Sequence, residues 1–134
     1  MKRTLLAVLA VLVVFAAWSV LDFVIHAMIL ASAYAATPQL WRPMVEMKTG
    51  LMHGVVLIAA AAFVGIYSWL ISDKSVKRGV QYGLLFGVGT GISMGYGSYA
   101  VMPLPYTIAF GWFVGSVVEA VVAGWITGLI VRKL

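Results

Sequence analysis

Four long apolar runs, at residues 5–33, 49–71, 80–102 and 107–131, make up most of this chain, and the breaks between them are short and chemically marked. A membrane-crossing helix needs about 20 consecutive apolar residues. Each run is long enough to cross, and little chain is left for anything else. Charged residues are 10% of the sequence and apolar residues 63%, against about a quarter charged in a soluble domain. The expected fold is an all-α membrane protein: a single domain over residues 1–134, built as an antiparallel, up-down-up-down bundle of four transmembrane helices in a lipid bilayer. That leaves no room for a soluble catalytic domain.

The breaks support this division. Residues 34–48 contain Pro38, Trp41, Arg42 and Pro43, which suits an interfacial loop with its indole among the headgroups. Residues 72–79, Ser-Asp-Lys-Ser-Val-Lys-Arg-Gly, are the only strongly charged stretch and belong in water. Pro103-Leu104-Pro105 stops the third run and allows a tight reversal into the fourth.

Lys and Arg are retained on the cytoplasmic side of bacterial-type membranes. Lys2, Arg3, Lys74, Lys77, Arg78, Arg132 and Lys133 fall on one side of a four-crossing chain, and only Arg42 and Lys48 on the other. Both termini are therefore expected in the cytoplasm, with the protein in the inner membrane. The net charge of +5 follows from this asymmetry and does not call for a nucleic-acid partner. Lys2-Arg3, the apolar stretch behind them and Ala31-Ser32-Ala33 imitate a secretory signal with its cleavage site. Signal cores, however, run about 7 to 15 residues, and this run is longer and contains Asp22 and His26. With no cysteine in the chain, disulfide frameworks, thiol redox chemistry and thiolate metal sites are excluded.

In the third run Gly79, Gly83, Gly87, Gly91 and Gly95 recur every fourth residue, which lays one groove along a helix face. The fourth run has Gly111 and Gly115 at the same spacing, continued by Glu119 and Ala123. Small residues let two backbones approach closely, so the stripes are expected to join the third and fourth helices. A stripe left over would serve a homo-oligomer.

Only four residues are acidic, and two of them, Asp22 and Glu119, lie deep within apolar runs, as do His26 and His53. A charge at the bilayer centre costs about 2.5 to 3.5 kcal/mol on insertion scales and persists where it is paired, neutralised or used. Counting roughly 1.5 Å per residue from the outer helix ends puts Asp22 and Glu119 at one level, about 18 to 20 Å down. By the same count His26 and His53 share a level about 10 to 12 Å down. Asp22 and His26, four apart, stack on one face. The expectation is a polar cluster of Asp22, His26, His53 and Glu119 that opens outward, with hydroxyls supplied by Ser93, Ser98, Tyr96 and Tyr99. Arg42 and Glu46, also four apart, read as a local ion pair of little energetic weight.

Three functions suit such a cluster. It can fix helix register in a structural or accessory subunit of a larger membrane complex, and this is the leading expectation. Two imidazoles and two carboxylates also form a ligand set for a divalent transition metal such as zinc, copper or iron. Alternatively, carboxylates and imidazoles can pass protons or cations, although no charged residue marks the cytoplasmic half of any helix. No nucleophile-base pair, phosphate loop or dinucleotide fingerprint is present, so an independent enzyme is not expected.

Overall fold

The computed structural model describes residues 1–132, and all of its regular elements are helical. Lys133, counted above for orientation, lies outside the described residues. Helix α1 (Lys2–Asp22) continues into a π-helical stretch, Phe23–Ile29, then breaks at the buried Leu30 before a short α2 (Ala31–Ala35). Two 3-10 turns, Pro38–Leu40 and Met44–Glu46, carry the chain over to α3 (Thr49–Leu70). Helix α4 (Val76–Ile92) passes through a second π-helical stretch, Ser93–Gly97, into α5 (Ser98–Val101), and α6 (Tyr106–Val131) completes the described chain.

Three of these segments are long and apolar enough to cross a membrane: Lys2–Ile29, Thr49–Leu70 and Tyr106–Val131, with mean hydropathies of 2.6, 2.0 and 1.9. Helix α4 is shorter, 17 residues, and carries Lys77, Arg78 and Gln81 in its first turns. It begins four residues before the expected 80–102 run because Ser75 caps it, its side-chain oxygen accepting from the Arg78 backbone N–H at 3.1 Å. Tyr67 holds that cap in place: its hydroxyl donates to the Ser75 carbonyl at 2.7 Å and accepts from the Ser75 N–H at 3.0 Å.

The outward surface is apolar. Val20, Phe23, Ile58, Leu85 and Trp69 are 63%, 64%, 72%, 75% and 85% exposed, an arrangement unfavourable in water and natural against hydrocarbon. The interior is small by comparison. Ala10, Val14 and Trp18 of α1 meet Ala60, Phe63, Val64 and Tyr67 of α3, with Ala120, Ala123 and Val131 of α6 beside them. Phe63 packs edge-on to Trp18 (5.6 Å between centroids) and to Phe86 (5.0 Å), and the Tyr82 hydroxyl donates to the Phe63 carbonyl at 3.0 Å.

Gly79, Gly83, Gly87 and Gly91 of α4 are buried, as is Gly95 of the π-helical stretch that follows. A Cβ at Gly79 would strike the Gly124 carbonyl, one at Gly83 the Ala120 carbonyl, and one at Gly95 the Ala109 carbonyl. At Gly87 it would stand 2.8 Å from the Val117 Cα. The partner face on α6 therefore runs through Ala109, Phe113, Ala120 and Gly124. Gly111 and Gly115 point elsewhere: Cβ atoms there would meet Leu30 at 2.8 Å and Ile25 at 3.0 Å. They face the first helix, not α4 as the matched spacing suggests, because α6 carries two small-residue faces and each receives a different neighbour.

Candidate functional site

The first helix reaches α6 through that second face, which also carries Glu119. Trp18 donates its indole N–H to the Glu119 backbone carbonyl at 2.7 Å. Just above this bond the first helix widens into its π-helical stretch, which begins right after Asp22 and contains Ile25 and His26. The π-helical stretch that follows α4 begins at Ser93 and contains Met94. Between these two widened turns and α6 lies a small cavity of about 80 Å³, lined by Asp22, Ile25, His26, Met94, Trp112, Gly115, Ser116 and Glu119. That is enough room for a few water molecules with polar partners. π-Helical turns make up well under 1% of residues and often occur at functional sites; here both border the same cavity.

Asp22 Oδ1 stands 3.7 Å from His26 Nε2. On the other side of the imidazole, Nδ1 is 2.6 Å from the Tyr34 hydroxyl, and the two rings stack at 5.9 Å with planes 20° apart. Trp112 donates its indole N–H to the same hydroxyl at 2.7 Å. Because indole is a donor only, Tyr34 keeps its own proton free. A neutral imidazole accepts that proton at Nδ1 and turns an Nε2–H toward Asp22. A protonated imidazole instead donates Nδ1–H to the second lone pair of Tyr34. The 2.6 Å contact is thus satisfied in both protonation states, and the imidazole can gain or lose a proton without breaking it.

The Glu119 carboxyl is less well served. Its Oε1 is buried and has no hydrogen-bond partner, and Asp22 lines the same cavity. An unsatisfied buried carboxyl oxygen is costly, and here it borders a cavity large enough for water.

The four residues of the expected cluster are placed unequally. Asp22, His26 and Glu119 share the cavity. His53 does not line it; the residue is exposed, and its Nδ1 lies 2.7 Å from the Thr49 carbonyl of its own helix. Helix α3 buries residues only from Ala60 onward, and His53 precedes all of them. His26 and His53 therefore do not meet. Nor do the expected hydroxyls reach the cavity: the Tyr96 hydroxyl is 2.8 Å from that of Tyr106, Tyr99 packs edge-on to Tyr106 at 5.9 Å, and Ser93 is exposed. Met94 is what this helical stretch contributes instead. Among the described residues no group of three or more His, Asp or Glu side chains is arranged to hold a metal ion.

Tyr34, Trp112 and Ser116 were not singled out by sequence reasoning. For two of them a signal existed. Trp112, Ser116 and Glu119 stand at i, i+4 and i+7, one face of a helix. Tyr34 gives no such signal, since it lies beyond the Leu30 break and reaches His26 only because the chain turns there.

Fold and site together define an all-helical protein with three helices able to cross a membrane and a small polar cavity between the first helix, the π-helical stretch after α4, and α6. No family model, curated protein or solved structure matches the chain.

Proposed function

We propose that the chain is a small integral inner-membrane protein of four crossings with both termini in the cytoplasm, and that the Asp22–His26–Glu119 cavity is a proton-exchange site open toward the outer side. In this reading the helical segment from α4 to α5 is the third crossing, seated on α6 by its glycine face in an antiparallel bundle. The protein acts as an accessory membrane subunit that responds to protonation, rather than as a complete channel.

The observation that carries the reading is the buried, unpartnered Oε1 of Glu119 beside a cavity shared with Asp22 and His26. A purely structural carboxyl would have its hydrogen bonds satisfied by protein. This one is left to water or to a proton. The chain Trp112, Tyr34, His26 and Asp22 supports proton movement because its central contact tolerates either charge state of the imidazole. One-sidedness is supported by what lies between the cavity and the basic ends. That interior is made of Ala10, Val14, Trp18, Phe63, Ala123 and Val131, and the polar groups buried with them are the Thr127 hydroxyl and that of Tyr67, which is bonded to the Ser75 backbone.

The test is pH-difference infrared spectroscopy of the protein in lipid nanodiscs. A protonated-carboxyl C=O band should change with pH in the wild type and disappear in Glu119→Gln. Identical spectra for the two proteins, or no titrating carboxyl band at all, contradict the reading.

A further inference from the structure

Away from this cavity, at the end of the molecule where α1 begins and α3 ends, a groove of about 500 Å³ runs between the two helices. Its floor and walls are small or aliphatic, including Ala7, Val11, Leu12 and Ala61, and its mouth is flanked by Arg3 and Lys74. No acidic side chain lines it. Lys74 is half-buried and makes no salt bridge among the described residues, in contrast to Arg78, which lies 3.4 Å from Asp73. Ser68 also lines the groove, and its hydroxyl is buried without a hydrogen-bond partner. Trp69, at the same end, is 85% exposed, the position an interfacial indole takes beside lipid headgroups.

We infer that this groove binds one anionic phospholipid, with its phosphate between Arg3 and Lys74 and an acyl chain lying along Ala7, Val11 and Ala61. Two properties select this occupant. Two unopposed cations at the mouth complement a phosphate. From Arg3 to Leu12 a helix rises about 14 Å, close to the roughly 15 Å of hydrocarbon in one leaflet of a 30 Å core. An extended peptide would need backbone partners that these helix side chains do not offer, whereas a lipid needs only a polar end and an oily wall.

The experiment compares thermal unfolding of the full chain in detergent micelles with added phosphatidylglycerol, phosphatidylcholine or inorganic phosphate. Phosphatidylglycerol should raise the midpoint, with phosphatidylcholine and inorganic phosphate far behind. Each basic residue near a membrane surface is worth about fivefold in affinity for anionic lipid, so the double substitution Arg3→Gln, Lys74→Gln should require about 25-fold more phosphatidylglycerol for the same shift. Ala61→Phe leaves both charges in place and fills the groove from an exposed position; it should abolish the preference for phosphatidylglycerol while the protein without lipid unfolds as the wild type does. Equal shifts with both lipids, a full effect from inorganic phosphate, an undiminished effect in the double variant, or an undiminished preference in Ala61→Phe would each overturn the assignment.

Discussion

Trp18 and Glu119, 101 positions apart in the chain, are joined by a 2.7 Å hydrogen bond from the indole N–H to the Glu119 backbone carbonyl. The bond fixes the first helix against α6 at the floor of the polar cavity. It also sets which way the Glu119 side chain leaves its helix, because the carbonyl that accepts the bond belongs to the same residue.

Trp18→Phe should therefore cost stability beyond its loss of contact area. Interhelical hydrogen bonds in membranes average about 0.6 kcal/mol and reach about 1.7 kcal/mol, and the edge-on contact with Phe63 survives only in part. Unfolding in mixed micelles should show a loss of about 1 to 2 kcal/mol. A variant as stable as the wild type would mean that the bond contributes nothing.

The glycines of helix α4 divide into two kinds, and alanine substitution should separate them. At Gly83 a single methyl group would strike the Ala120 backbone carbonyl, whereas at Gly89 nothing stands within 4 Å. Gly83→Ala should destabilise by about 1 to 3 kcal/mol, as overpacking does. Gly89→Ala should be neutral or stabilise by up to about 1 kcal/mol, the difference in helix propensity. Both follow from the same unfolding titration, and an inverted order contradicts the seating of α4 on α6.

Tyr34→Phe removes one oxygen and leaves two nitrogens without a partner, Trp112 Nε1 and His26 Nδ1. The ¹⁵N resonances of both side chains should move together in the variant. A shift of one without the other would show that Tyr34 does not bridge them.

His53→Ala should leave the cavity unaffected. The residue is exposed and bonded only within its own helix, and exposed substitutions of this kind stay within about 0.5 kcal/mol. The carboxyl infrared band should titrate as in the wild type, whereas His26→Ala should alter it. An equal effect from both would return His53 to the site.

The apolar runs were legible because hydropathy reports length and composition. The second and fourth were expected at 49–71 and 107–131 and are found at Thr49–Leu70 and Tyr106–Val131. Helix rotation was not legible. Asp22 and Glu119 were placed at one depth by counting residues, a quantity that depends only on helix rise, and they do share the cavity. His26 and His53 were paired by the same count, but depth says nothing about direction, and α3 turns His53 outward. The glycine spacing of α6 was equally ambiguous. Gly111 and Gly115 match the α4 stripe on paper, yet Ala120 and Gly124 form a second small-residue face, and that is the face α4 occupies. The two π-helical turns left no mark that periodicity could detect.

Because the chain has no cysteine, introduced thiols report on pairs without background. The most direct check is crosslinking in native membranes of an Asp22→Cys, Glu119→Cys protein with a short bis-thiol reagent, alongside a His53→Cys, Glu119→Cys control. The shared cavity predicts an internal crosslink in the first protein and none in the second. A crosslink between positions 53 and 119, with none between 22 and 119, would contradict the shared site on which the proposed proton exchange depends.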